Sequence, residues 1–209
     1  MSRVARGVRL SSRLKGFKNI TYAKIGEEGT HEEGKKLSDG KKIESSLEYE
    51  EEEEWAEDKQ VEYTYEFSGG KGKLTVLGLT ADEYHDLFGN EKGKGGILIN
   101  TEDKSTPVAL MWERKKKGGH RRLYVLYNVI CSPIGLGGAE SLEKGKGENE
   151  QTEIEYVIGS YNDGTKDRIG AFIDTDDPEV DQKMITDWYT TPQFPVKGLE
   201  TVQEVVAEL

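Results

Sequence analysis

The sequence has 209 residues, a formal net charge of −11 at pH 7 and a single cysteine, Cys131. This length fits one domain with short extensions, and the overall acidity argues against a protein that grips nucleic acid or an anionic membrane through its net field. One cysteine forms no internal disulfide, so Cys131, at the end of an apolar run, is expected to be a small buried hydrophobe.

The amino-terminal end carries basic side chains and no acidic ones over its first eighteen residues. The basic residues are Arg3, Arg6, Arg9, Arg13, Lys15 and Lys18. A one-sign block at a terminus predicts a docking arm, and a basic arm on an acidic body suggests self-assembly. No apolar stretch is long enough for a secretion signal or a membrane span, so we expect a soluble protein that is made in the cytoplasm and has no membrane partner.

A short strand is predicted at 20–25, followed by a Gly- and Glu-rich loop at 26–40. The segment 29–36 has the glycine spacing of a nucleotide phosphate loop. Lys36 stands where Ser or Thr must bind magnesium, however, and no apolar-periodic helix follows. We therefore expect no nucleotide site and no cofactor.

The segment 42–67 is the most acidic part of the chain, with ten Glu and one Asp against two Lys. In its second half apolar and polar residues alternate with the period of a strand that has one apolar and one wet face. We predict a long hairpin with its tip at 53–60. Such a carboxylate band indicates either an electrostatic surface or a merely solvated acidic loop, and the spacing alone does not separate the two.

Beyond the hairpin, glycines at 68–72 predict a turn and 73–79 an apolar strand. Thr80 and Glu83 have the spacing of a capping box, so a short helix is expected at 81–88. Further strands are predicted at 97–99, 107–114, 121–131, 152–161 and 168–173, and 121–131 should be central because both of its faces are apolar. Asp177 is a candidate N-cap for a second helix that ends near 189.

These elements predict a mainly β protein of two packed antiparallel sheets, a β-sandwich or barrel with a short flanking helix. The expected organisation is a basic arm at 1–18, a β domain at 19–195 and a C-terminal tail at 196–209.

No pattern in the sequence indicates catalysis or metal binding. The histidines, His31, His85 and His120, fall in no metal-ligand spacing, and no nucleophile elbow is present. With forty acidic residues, no carboxylate pair is singled out as an acid/base couple. We therefore expect no catalytic, cofactor or metal site and no enzyme activity.

Several stretches together resemble the major tail protein, or tail tube protein, of long, non-contractile-tailed bacteriophages. They are VALMWE at 108–113, GHRRLYVLY at 119–127 with Pro133, FIDTDDP at 172–178, ITDWY at 185–189, and the strand-to-helix segment 74–88. The likeness covers about 17–195 and lies in the order of the motifs rather than in any one of them.

The resemblance implies a tail-tube fold and a virion protein whose hexameric rings stack into a conduit for DNA. It also implies a tape measure protein and other tail proteins as partners, and genomic DNA that passes through without specific binding. The acidic strand faces predict four candidates for the lumen: Glu62, Glu66, Glu153 and Glu155. The charge pattern predicts contacts between rings at Trp55, Glu53, Glu54, Arg3, Arg6, Arg9 and Arg13.

A different class of function remains open, namely a solitary β-sandwich that displays a binding surface on a virion or cell. This alternative predicts a stable monomer that does not associate as its concentration rises.

Overall fold

A computed structural model gives the fold and describes residues 13–37, 39–56, 59–136 and 151–195. These residues are mainly β, as predicted. The strands are β1 Lys15–Lys24, β2 Lys35–Lys36, β3 Gly40–Ala56, β4 Lys59–Val76, β5 Glu91–Gly93, β6 Gly96–Leu98, β7 Val108–Lys115, β8 Arg121–Cys131, β9 Thr152–Ile158, β10 Tyr161–Asn162, β11 Asp167–Arg168 and β12 Gly170–Asp174. The helices are α1 Ala81–Phe88 and α2 Gln182–Asp187.

Eight strands form one antiparallel sheet in the order β2-β1-β7-β8-β9-β4-β3, with β12 also paired to β8. One edge of β8 pairs with β7, and its other edge pairs first with β12 and then with β9. The prediction that 121–131 is the central strand is confirmed. β5 with β6, and β10 with β11, form two small separate hairpins.

The large sheet curls on itself. Its two outer strands, β2 and β3, follow each other in the chain, and four residue steps from Lys36 to Gly40 span at most about 14 Å. A flat sheet of seven strands would hold its edges about 29 Å apart. The expected two layers are thus two halves of one continuous sheet, with Gly40 seated against Phe17 and Ile20 of β1.

The main core fills the inside of the curl, and α1 closes it. Leu110 and Trp112 of β7 face Leu74 of β4 and Ile154 of β9 there, and Cys131 is buried in the same cluster, as predicted. Burial raises the pKa of the Cys131 thiol to about 12. The capping box of α1 is confirmed, because the amide of Glu83 donates to the Thr80 hydroxyl and the Glu83 carboxylate accepts from the Thr80 amide.

A buried carboxylate anchors α1 to the sheet. Asp86, only 3% exposed, accepts hydrogen bonds from the Tyr22 hydroxyl at 2.9 Å and from Lys35 at 2.6 Å, and Lys24 lies 3.3 Å away. Burial favours the protonated acid, but these donors outweigh it and hold the pKa of Asp86 below its usual range. The ionised Asp86 carboxylate therefore attaches α1 to β1 and β2.

The second helix begins later than predicted. Asp181 is its N-cap and accepts from the Lys183 amide, whereas Asp177 accepts from the Glu179 amide and closes a turn. Both aspartates have a side chain that can cap a helix, but Asp177 closes a turn that places Pro178 outside the helix. The predicted N-cap at Asp177 is thus wrong, and α2 ends at Asp187 rather than near 189.

Two predicted boundaries also shift at the ends of the chain. β1 begins at Lys15, so the last four residues of the predicted arm belong to the sheet. The rest of that arm up to residue 12, and the predicted tail at 196–209, lie outside the described residues.

A second core packs on the opposite face of β7 and β8, under α2 and the chain that follows it. Its largest fully buried side chain is Trp188, whose indole N–H donates to the Tyr124 carbonyl at 3.3 Å. Phe194 stacks on Tyr127 at 4.5 Å, and the Tyr127 hydroxyl donates to the Gln193 carbonyl. These contacts fix the end of the β domain to the sheet.

His31 belongs to this aromatic group. Its ring lies 4.1 Å from that of Tyr161, and its Nε2 is 2.9 Å from the Tyr127 carbonyl. Burial lowers the pKa of His31 from its ordinary 6.5, and the hydrogen bond opposes this only in part. The folded protein therefore prefers the neutral ring.

The His31 environment predicts acid sensitivity. The unfolded chain takes up a proton on His31 at a higher pH than the folded chain does. The stabilisation that comes from burying a neutral His31 is therefore fully present above pH 6.5 and is lost as the pH falls below that value. We expect the melting temperature to fall between pH 7 and pH 5, and to fall less in His31→Phe. The exposed His120→Gln is the control and should keep the full dependence; equal slopes for all three proteins would contradict the assignment.

Candidate assembly surface

The predicted acidic hairpin exists and projects from the sheet. β3 and β4 pair from Gly40 opposite Val76 out to Ala56 opposite Lys59. β9 pairs only with 70–76 of β4, so the remainder is a two-stranded ribbon about 30 Å long at 3.3 Å per residue. The predicted tip at 53–60 is wrong in extent, because most of those residues are paired strand.

The predicted turn at 68–72 is also wrong, since these residues lie inside β4. Glu48 pairs with Gly69 and Tyr49 with Phe67, which leaves Ser68 as the extra residue of a β-bulge. The glycines do not reverse the direction of the chain. Gly69 has a φ of 145° and permits the bulge, whereas Gly70 and Gly72 allow the neighbouring strands to approach closely.

One face of the sheet carries most of the acidic residues of the ribbon, whereas Glu51 and Glu53 lie on the other face, opposite Tyr65 and Tyr63. Glu66 lies directly opposite Glu50, and Glu155 lies opposite Lys73, which in turn lies opposite Glu44. By this register three predicted lumen candidates share one face and are exposed: Glu66, Glu153 and Glu155. Glu62 pairs with Glu54 in the ladder, and its side chain lies outside the described part of the structure.

Lysines neutralise this acidic face near the body of the protein. Lys73 lies 3.0 Å from Glu155 and 3.6 Å from Glu153, and Lys71 lies 3.0 Å from Glu48. The hydrogen bond to Glu155 and the two negative charges raise the pKa of Lys73. The excess of carboxylate is therefore on the projecting ribbon, where Glu50, Glu52 and Glu66 stand together.

The opposite face of the ribbon is aromatic and exposed. Leu47, Tyr49, Tyr63 and Tyr65 are 41%, 49%, 42% and 57% exposed. Tyr49 packs against Phe67, and the Tyr63 and Tyr65 hydroxyls are 3.0 Å apart. The period-2 pattern predicted an apolar face, but sequence reasoning missed that it would remain uncovered. Glu51 and Glu53 also lie on this face, opposite Tyr65 and Tyr63. Exposed aromatic side chains grouped in this way mark an interaction surface.

The aromatic face continues into an open groove of about 510 Å³ between β3 and the β8–β12 pair. Ser45, Leu47 and Tyr49 line one wall. Tyr124 and Phe172 line the other, together with Trp112, which stacks on Tyr124 at 5.2 Å and is buried. The groove is apolar and lies directly beside the outer edge of β3.

Only some of the residues predicted to form contacts between rings are described in the structure. Glu53 is exposed and pairs with Tyr63, and Arg13 is exposed just before β1. Trp55 and Glu54 belong to β3, but their side chains lie outside the described part. Arg3, Arg6 and Arg9 lie outside the described residues altogether.

The buried charged side chains of Lys116 and Glu113 are engaged in ion pairs. Lys116 lies 3.1 Å from Asp174 and 2.6 Å from Asp176, and Glu113 pairs with Arg121 at 2.8 Å. Within the described ranges, no group of three or more His, Cys, Asp or Glu side chains is arranged to hold a metal ion. No helix in those ranges has the length and apolar character needed to cross a membrane.

Comparison with known proteins leaves the chain without an assigned family: no family model matches it, and no curated protein matches it.

Proposed function

We propose that the protein is a virion structural subunit, a major tail protein whose hexameric rings stack into the tail tube of a long, non-contractile-tailed bacteriophage. The observation that carries the proposal is the projecting ribbon, with one acidic face, one aromatic face and an outer strand of seventeen residues. Long exposed strands with apolar faces are a hazard in a monomer, because they pair with other chains. A closed ring turns that hazard into the joint between subunits.

The ring joint is assigned to the outer edge of β3 and the aromatic face. No other strand among the described residues pairs with that edge. Addition of a neighbour's strand supplies main-chain hydrogen bonds, and burial of Tyr49 and Tyr65 supplies apolar area. Among the described residues of one subunit, neither contribution is present.

The lumen is assigned to the acidic face. Carboxylates at Glu66, Glu153 and Glu155, with Glu62, repel phosphate, so DNA passes without specific binding. The lysines at 71 and 73 limit this repulsion close to the body of the subunit. A tube structure with these glutamates on its outer wall would contradict the assignment.

Contacts between rings are assigned to the basic arm and the end of the hairpin. Arg3, Arg6, Arg9 and Arg13 are complementary in charge to Glu53 and Glu54, and Trp55 adds an apolar anchor. A tape measure protein inside the tube and other tail proteins at its ends complete the proposed partners.

A solitary binding module is the second candidate. The aromatic groove favours it, since concave apolar surfaces with a few polar groups are typical ligand sites. This candidate requires a monomer at all concentrations, whereas the tail-tube proposal requires ordered association.

Negative-stain electron microscopy of the purified protein over a range of protein and salt concentration tests the proposal. We expect rings or hollow tubes of uniform bore. The double variant Tyr49→Ser, Tyr65→Ser should lose them, because the joint loses its apolar area. The control Leu98→Ser, Ile99→Ser removes two other exposed apolar side chains and should assemble normally. Monomers under every condition would overturn the tail-tube proposal and favour the binding module.

A further inference from the structure

The groove between β3 and the β8–β12 pair continues into a second cleft, which lies between β3 and the start of β1. Each is about 510 Å³ in volume, and Ser45, Trp112 and Tyr124 line both of them. Phe172 stands at one side of the groove with 54% of its surface exposed. The two clefts together, called the joined groove below, have the size and the aromatic lining of a site that accepts inserted side chains.

The joined groove has a basic rim. Its charged lining residues are four basic side chains and one acidic side chain: Lys41, Lys42, Arg114, Arg168 and Asp167. Lys42 and Arg168 form ion pairs within the chain. Arg114 donates to the Gly16 carbonyl, and within the described ranges neither Arg114 nor Lys41 pairs with a carboxylate. On a chain whose net charge is −11, this rim favours an acidic partner surface.

The outer half of the ribbon's aromatic face has the complementary character. Tyr63 and Tyr65 are 42% and 57% exposed, and their partners in the ladder are Glu53 and Glu51. Aromatic rings flanked by carboxylates match an aromatic groove with a basic rim. Two such faces packed on each other would instead bring the carboxylates of both copies together, and like charges oppose that arrangement. The charges therefore favour contact between ribbon and groove over contact between two ribbons.

The tyrosines of one subunit lie beyond its own groove. Leu47 and Tyr49 form the groove wall. Tyr65 and Tyr63 lie two and four residues farther out along the ribbon, about 7 Å and 13 Å at 3.3 Å per residue. β4 pairs with β9 up to Gly70 and continues as the ribbon, and β12 follows β9 along the same edge of β8. Ribbon and groove are therefore at one end of the sheet, so a neighbour in the same orientation presents its groove beside the ribbon.

We propose that the outer aromatic face of the ribbon packs into the joined groove of a second copy of this chain. The rings of Tyr63 and Tyr65 contact Phe172 there, and Glu51 and Glu53 lie at the basic rim. The inference rests on the proposed function, because it names the surface that receives the ribbon at the ring joint. One copy contributes the ribbon and the other the groove, and such a heterologous contact forms a ring when the rotation between subunits closes.

Crosslinking between two tagged copies tests the contact. One copy carries Tyr65→Cys and the other Phe172→Cys, both at exposed sites, and the co-expressed protein is treated with a short bifunctional maleimide. The native Cys131 is buried and should not react. We expect a crosslinked pair of differently tagged copies, identified by mass spectrometry. The control replaces Phe172→Cys with Leu98→Cys, a site that is also 54% exposed, and should give no crosslink.

Three results of this experiment would overturn the proposal. They are the absence of a crosslink between Tyr65→Cys and Phe172→Cys, an equal yield with Leu98→Cys, and a crosslink within one chain when Tyr65→Cys and Phe172→Cys are combined at low protein concentration.

Exchange of the charges provides a second measurement, with association followed by analytical ultracentrifugation. Lys41→Glu with Arg114→Glu should weaken association at least several-fold, because the rim loses its attraction for the ribbon. Glu51→Lys with Glu53→Lys should do the same from the other side of the contact. All of these changes in one chain should restore most of the affinity, because opposite charges meet again.

The control for the charge exchange is Lys94→Glu with Lys104→Glu, which changes the net charge as much as the rim variant does at other exposed sites. It should weaken association far less. An equal loss in the control, or no recovery in the combined variant, would contradict the contact. Tubes without the crosslink between positions 65 and 172 would overturn the contact and retain the tail-tube proposal. Crosslinked oligomers that form no tubes would retain the contact and overturn the tail-tube function.

Discussion

Replacing Trp188 with alanine should destabilise the protein by about 3–5 kcal/mol, the range for truncating a large buried aromatic side chain. Trp188 is fully buried against Met111 and Val125, and its indole N–H donates to the Tyr124 carbonyl. The variant loses this apolar burial and leaves that carbonyl without its partner. Urea unfolding at pH 7, followed by circular dichroism, measures the change in the free energy of unfolding.

The matched control for Trp188 is Phe172→Ala. Phe172 is an aromatic residue of the neighbouring strand β12 but is 54% exposed. Its truncation should cost less than about 1.5 kcal/mol, because little apolar area leaves the core. Equal losses in the two variants would show that the second core does not depend on the segment after α2.

Gly72→Ala should destabilise the protein by about 3 kcal/mol, at the upper end of the cost of overpacking. A Cβ at this position would collide with the Tyr156 ring and with the Glu44 carbonyl oxygen. The Tyr156 hydroxyl donates to that same carbonyl at 2.7 Å, so the ring has little freedom to withdraw. Thermal and urea unfolding measure the loss.

Gly96→Ala is the control for Gly72, because a Cβ there meets nothing within 4 Å and the residue has no positive φ. It should be close to neutral or slightly stabilising. If both substitutions were neutral, the stretch from Ser68 to Gly72 would be a surface turn, as the sequence alone suggested, and not the interior of β4.

The glycines of β4 show why the sequence misled at that point. Clustered glycines predict a turn, and the local pattern contains nothing to contradict it. The structure instead uses Gly72 to let the Tyr156 ring cross β4 and reach β3. The requirement comes from a residue more than eighty positions away, so no local reading could reveal it.

The aromatic face of the ribbon could be predicted from the sequence, but its exposure could not. Tyr63, Tyr65 and Phe67 alternate with polar residues, and this pattern correctly placed them on one side of a strand. Whether that side is buried depends on how much of β4 lies over the core inside the curled sheet, and the part of β4 that is paired with β9 ends at Gly70. The eighteen residues of β4 are about three times the usual strand length, and the glycines at 68–72 concealed that length in the sequence.

Features that depend on near neighbours along the chain could be predicted from the residues alone. They are the β class, the strand at 121–131, the hairpin and the capping box at Thr80, because alternation and capping are interactions over a few residues. The fold was needed to learn that the sheet curls as one layer, which aromatic residues stay exposed and which residues Asp86 contacts. These depend on pairing between segments far apart in sequence, where many registers satisfy the same local pattern and burial selects one.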